Sequence, residues 1–130
     1  MIVEINDWFA EYLDAFAAAC RGDTDTSSLL AYFAVPLLLT TDGGFYALTS
    51  DEQVVGGVGP QVDQMHAAGF HHNEVSDAEI TVLNATSALY RGTISRKRAD
   101  GGEINRITGT YLLTDGPVGR RISVLAVHSA

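Results

Sequence analysis

Residues whose side chains could do chemistry are sparse in this chain, and the densest group lies near its middle. Residues 67–77 read AAGFHHNEVSD, which sets His71 beside His72 and follows them with Asn73, Glu74 and Asp77. Histidines and carboxylates bind metals or move protons. Spacing decides between the two. Adjacent strand residues point to opposite faces, so His71 and His72 cannot both reach one ion from a regular strand. His72 and Glu74 have the i, i+2 spacing of a strand pair, yet two ligands are too few for a tight site. A third ligand, such as His128 or Asp42, would have to arrive from elsewhere. No metal is therefore expected. One histidine facing the interior remains as an acid/base candidate, and parity with Ile80 and Val82 selects His72 if the strand is unbroken.

The basic residues form a second group. RKR at 96–98, Arg106 and the pair Arg120–Arg121 hold six of the eight. A tight turn at Asp100-Gly101 would set Arg96 opposite Arg106, and an ordinary turn after Asp115 would bring Arg106 near His128. Alternation then places Tyr90, Gly92, Ile94 and Arg96 on the face that carries Arg106, Thr108, Thr110 and Leu112. A row of Arg96, Arg106 and His128 could receive an anionic group such as a carboxylate, with arginine as bidentate donor. The alternative is that these arginines splay into solvent or pair with acids such as Glu103. Arg120 and Arg121 fall at the other end of their strand, so no continuous basic stripe forms.

The aromatic residues Trp8, Tyr12, Tyr32 and Tyr46 could line a ligand pocket, as could Tyr90, or they could be plain core. Asp42 could act as a base at a pocket mouth, although Asp before Gly-Gly is first a turn residue. His66 falls near a helix end, where a cation suits the dipole. Cys20 sits on an apolar stripe, and no Ser-His-Asp or Cys-His arrangement can be argued.

Elements to carry these residues can be read from periodicity. Ile5, Trp8, Phe9, Tyr12, Leu13, Phe16, Ala17 and Cys20 form the stripe of a first helix, with Gly22 just past its end. A short amphipathic turn over Leu29–Phe33 follows, which Pro36 is expected to end. LLLTTDGGFYAL reads as a hairpin about Asp42-Gly43. Thr49 with Glu52, or Ser50 with Gln53, makes a capping box for a second helix, interrupted by GGVGP at 56–60 and ended by Gly69. That glycine run lacks the Lys-Ser/Thr of a phosphate loop. From Phe70 onward four β-rich runs, near 70–83, 86–98, 103–114 and 119–128, are joined by turn-like segments. Helices first and an antiparallel meander last give an α+β layout, read as one domain over residues 1–130.

Composition narrows the function classes. About 46% of the 130 residues are hydrophobic, enough for a core, and the formal net charge is −8. That balance opposes nucleic acids and anionic membrane surfaces. The apolar run YFAVPLLL is too short to span a bilayer. The N-terminal segment has no basic region of a signal peptide, and a single cysteine cannot form an internal disulfide, so a cytoplasmic location is expected.

The order of elements, and the C-terminal half SALYRGTISRKRADGGEINRITGTYLLTDGPVGRRISVLAVHS above all, resembles a known superfamily. It is the cone-shaped α+β fold shared by nuclear transport factor two, SnoaL-like polyketide cyclases and ketosteroid isomerases. The echo rests on an Ala-x-aromatic strand start, a long hairpin through Asp100-Gly101, a Tyr-x-Leu strand and a final Arg-Ile…His-Ser strand. The resemblance implies N-terminal helices packed on a curved mixed or antiparallel sheet, with a pocket at the open end of the cone. It also implies small, mostly apolar ligands, no cofactor and a homodimer through the outer sheet face. Catalytic members place an Asp in the pocket as general base. This chain departs from them, with no Asp or Glu from Thr86 to Arg98, Ile104 to Thr114 or Gly119 to His128. Arg120 and Arg121 also stand where an aromatic is often found.

Two functions follow as expectations. The first is a homodimeric protein that binds a small, largely apolar ligand without catalysis. The second is a cofactor-independent isomerase, cyclase or hydrolase with a His/Asp acid–base pair in the pocket.

Overall fold

The computed structural model describes the backbone of residues 2–128 and the side chains of residues 4–128. Helix α1, Ile2–Cys20, buries Ile5, Phe9, Tyr12, Phe16 and Cys20 along one side. The steps of three and four residues keep these side chains on one stripe. The chain leaves α1 through Gly22 at φ +81. A Cβ there would lie 2.9 Å from the His66 ring, and His66 Nδ1 meets the Cys20 carbonyl oxygen at 3.1 Å. His66 thus serves an orphan carbonyl at the end of α1 from the next helix.

A short 3-10 helix, Thr26–Ala31, leads into β1, Phe33–Thr41, and β2, Gly44–Leu48. The two strands pair antiparallel across Asp42-Gly43. Pro36 lies inside β1, contrary to the helix-ending role expected for it. It is tolerated there because pairing of β1 with the neighbouring strand is interrupted between Phe33 and Leu38. Helix α2, Asp51–Ala67, is capped by Ser50, whose hydroxyl accepts from the Gln53 amide at 3.1 Å. Gln53 Oε1 in turn accepts from the Thr49 amide at 2.8 Å. The glycine run does not break α2, which continues through Pro60 and buries Val54, Val58, Val62 and Met65. Gly57 lets it approach the hairpin, since a Cβ there would fall 2.7 Å from Leu48 Cδ1.

Strands β3 (Phe70–Asn84), β4 (Ser87–Arg98), β5 (Glu103–Gly116) and β6 (Gly119–His128) complete a six-stranded sheet of order β2-β1-β6-β5-β4-β3. Among the described residues only β1 and β6 pair parallel, so the sheet is mixed. Short turns made the antiparallel pairs legible, whereas the parallel pair joins elements far apart in sequence. Both helices pack on one face. Phe9 stacks on Tyr90 with ring centres 3.7 Å apart and meets Tyr111 edge-on at 4.8 Å. Directly paired strand residues share a face. The inner rows are therefore Ala88–Leu113–Ile122, Tyr90–Tyr111–Leu125, Gly92–Gly109–Val127, Ile94–Ile107 and Asn73–Arg96–Asn105.

Three irregularities overturn the expected strand arithmetic. A break between Arg96 and Lys97 puts Arg96 opposite Asn105 and Arg106 opposite Ser95. A second, between Leu112 and Leu113, sets His128 opposite Thr108. A third, between Ser76 and Glu79, contains Asp77 at φ +54 and reverses the parity of β3. A one-residue slip moves side chains to the opposite face. The row Arg96–Arg106–His128 does not form, and Asn73, not His72, faces Arg96. Among the described residues, no helix is long and apolar enough to cross a membrane.

Candidate ligand-binding site

Between the helices and the inner sheet face lies a cleft of about 500 Å³. Its walls come from α1 (Tyr12, Phe16), α2 (Val58, Pro60, Gln61) and β1 and β6 (Leu39, Leu125). A narrow cavity of about 20 Å³ adjoins it and shares Tyr12, Phe16, Gln61, Leu125 and Val127. The small cavity adds Asn73, Arg96 and Tyr111. The large cleft has the volume and apolar lining of a small-molecule site. The small one holds about one water molecule or one ligand oxygen.

Arg96 sits at the inner end of this arrangement and is only 4% exposed. No carboxylate pairs with it among the described residues, whose ion pairs all involve other side chains. Burial pulls its pKa below the usual arginine value, opposed by the nearby Tyr111 and Tyr12. The guanidinium nevertheless stays charged. It lies 5.6 Å from the centre of the Phe16 ring, within cation–π range. With the Gln61 amide turned so that its oxygen faces donors, that oxygen accepts from Nη1 at 2.7 Å and Nη2 at 3.1 Å. Among the described residues, Nε of Arg96 has no partner, nor has either amide atom of Asn73 or Oδ1 of Asn105. These residues are direct neighbours across β3, β4 and β5. A row of buried polar groups is left unsatisfied at one end of the cleft, where each costs stability.

The phenols beside Arg96 are neutral donors. Burial raises the pKa of Tyr12 well above its ordinary value and pushes Tyr111 up to about 12. Gly109 fixes the Tyr111 ring, since a Cβ there would stand 2.8 Å from Cε1 and 3.0 Å from the hydroxyl oxygen. Gly92, directly opposite, gives the Tyr90 ring similar room. Paired glycines thus let two tyrosine rings lie over the sheet. Burial also pushes Cys20, close enough to feel the Arg96 charge, up to about 11.

The candidates read from sequence fall in several places. Tyr12 lines both cavities. Tyr90 is core, stacked under Phe9. Trp8 is half-buried and meets the Tyr32 ring edge-on at 5.6 Å, and neither is among the described lining residues of the cleft. Tyr46 is exposed on β2 and donates to the Gly43 carbonyl, while Asp42 occupies the hairpin turn. His72 lies on a shallow groove beside Leu13, Asp14 and Arg21, with Nε2 3.1 Å from Glu74 Oε2. Its Nδ1 is 3.0 Å from that of His71, so one ring must donate and the other accept. Arg106 points outward and pairs with Glu103 at 2.9 Å. The Ser95 hydroxyl and, after it, the Arg106 guanidinium hold the Glu103 carboxyl below the usual range. His128 meets Thr110 Oγ1 at 2.6 Å on the outer face. No group of three His, Cys, Asp or Glu converges among the described residues. Sequence reading singled out Arg96 as a possible anion donor but supplied the wrong neighbours. Asn73, Asn105 and Tyr111 were missed because strand bulges hid which residues point inward, and Gln61 because its partner Arg96 lies on a strand 35 residues away.

Many solved structures share the fold, and three of them show how far it extends at low sequence identity. A candidate calcium/calmodulin-dependent protein kinase II association domain from Xanthomonas campestris superposes with a TM-score of 0.72 at 14% identity. That alignment covers 98% of this chain and 86% of the other. Aln2 from a Streptomyces species gives 0.70 at 17% identity, covering 98% and 89%. An NTF-2 like protein of unknown function from Shewanella oneidensis gives 0.68 at 17%, covering 95% and 98%. At such identities the likeness speaks for the fold. Comparison with curated proteins finds no match. A family model described as NTF2-like protein (DUF6841) matches residues 3–130, so the chain belongs to that family of the NTF2-like cone fold.

Proposed function

We propose that this protein binds a small, largely apolar ligand in the central cleft, as a cytoplasmic homodimer and without catalysis. The resemblance to SnoaL-like pocket proteins supports the apolar ligand and the homodimer, and the absence of a carboxylate from the lining supports binding over catalysis. The observation that carries the reading is the lining. The cleft and its inner cavity are walled by aromatic, aliphatic and amide side chains and one threonine, around one arginine. No Asp, Glu, His or Cys is among the lining residues. A concave apolar site with few polar groups suits binding. The alternative, an acid–base enzyme with a pocket His/Asp pair, lacks a proton acceptor of suitable pKa within that lining.

A thermal-shift screen against steroids, polyketides and small organic acids tests the reading. A ligand that binds only the folded state raises the melting temperature by mass action. At least one compound class is expected to raise it in proportion to the logarithm of concentration. Absence of any shift across the panel at millimolar concentration would contradict the reading.

A further inference from the structure

The inner end of the cleft is built differently from its walls. Arg96 carries a full charge at 4% exposure, with no carboxylate partner among the described residues. Removing a charge from water without a counter-ion is among the costliest arrangements a fold can hold. What stands against its Nη1 and Nη2 is the neutral amide oxygen of Gln61, at 2.7 and 3.1 Å. One oxygen facing two guanidinium donors occupies the place of an anion's oxygen. Gln61 lines both the small cavity and the large cleft, so it stands where the two meet. Asn73 and Asn105, paired with Arg96 on either side, keep unsatisfied polar atoms beside it.

Resting on the ligand-binding reading above, we propose that the ligand is a monocarboxylate whose carboxylate displaces the Gln61 amide oxygen from Arg96 and whose apolar body fills the cleft. The arrangement selects one negative charge, since a single arginine faces it and the neighbouring phenols are neutral donors. A planar carboxylate matches the fork of a guanidinium, as a carboxamide or alcohol does not. The narrow cavity of about 20 Å³ holds about one ligand oxygen, so the second carboxylate oxygen takes the place that the Gln61 amide oxygen leaves. The larger cleft of about 500 Å³ accepts a ring system or a medium-length alkyl chain.

The test uses matched probes, namely 2-naphthoate, phenylacetate and octanoate, each beside its carboxamide and primary alcohol. Binding is measured by calorimetry on the wild-type protein, on Gln61→Glu and on Arg96→Met. At least one carboxylate should bind the wild type on the order of tenfold or more tightly than its neutral counterparts. Gln61→Glu supplies an isosteric internal anion to Arg96, so it should abolish the carboxylate preference while melting no lower than wild type. Arg96→Met should reduce the preference to about threefold or less. Equal binding of the neutral counterparts, or undiminished carboxylate binding by Gln61→Glu, would overturn the proposal and leave the cleft reading standing. If the carboxylates fail while a neutral compound of the wider screen binds, the proposal again falls alone. If nothing binds, both fall together.

Discussion

Arg96 shows how little of a residue's role its type decides. Its neighbours in sequence, Lys97 and Arg98, lie at the turn end of the same hairpin and share its chemistry, yet of the three only Arg96 is buried. The difference is one of face, set by a break in register immediately after it. The residues around it make an alkaline-pH prediction possible. Tyr12 and Tyr111 are raised above the model-compound value of 10.0, and Cys20 from 9.0 to about 11. An acid whose folded pKa lies above its unfolded one keeps its proton longer in the native state. Its contribution is complete below the unfolded value and disappears as pH climbs to the folded one. Urea unfolding midpoints should therefore fall from about pH 9 to about pH 12, with a loss on the order of a few kcal/mol. Cys20→Ser should remove the part of the decline that begins near pH 9. A midpoint constant through pH 11 would contradict the burial of these groups.

At the scale of elements, local signals were the readable ones. The stripe from Ile5 to Cys20, the Ser50–Gln53 cap and the Asp42-Gly43 turn depend on residues close in sequence, and each forms as expected. The face assignments of the long strands depended on bulges at Asp77, Arg96 and Leu112, which no local residue pattern announces. His72 and Arg106 were chosen on unbroken alternation and were displaced by one residue, leaving Asn73 and Asn105 opposite Arg96. Tyr12 was legible because helical periodicity tolerates no such slip. The glycine pair across β4 and β5 adds a test of how strands shape the site. Gly109→Ala should push the Tyr111 ring from its place and destabilise the protein by about 1–3 kcal/mol, read by denaturant unfolding. No loss of stability would mean that the ring relocates freely and does not shape the inner cavity.

At the scale of the whole molecule, both helices occupy one face of the sheet, and no described element covers the other. Across that outer face run Leu38, Val124, Leu112 and Leu89, direct partners on four strands. An apolar row on a face without a covering layer fits the homodimer proposed above, since a sheet needs both apolar faces packed. Light scattering at micromolar concentration should give twice the 13.9 kDa chain mass, and Leu112→Glu should return it to that of one chain. A monomeric wild type would remove the dimer from the account. The cleft itself is the central claim, and its location can be read residue by residue. The measurement is a ¹H–¹⁵N correlation spectrum of the labelled protein titrated with 2-naphthoate. Saturable shifts should centre on Arg96 Nε–H, the Gln61 side-chain amide and the backbone of Tyr111, with Phe45 and Val118 unmoved. Saturable shifts confined to the outer sheet face, or no saturable shift at all, would contradict it.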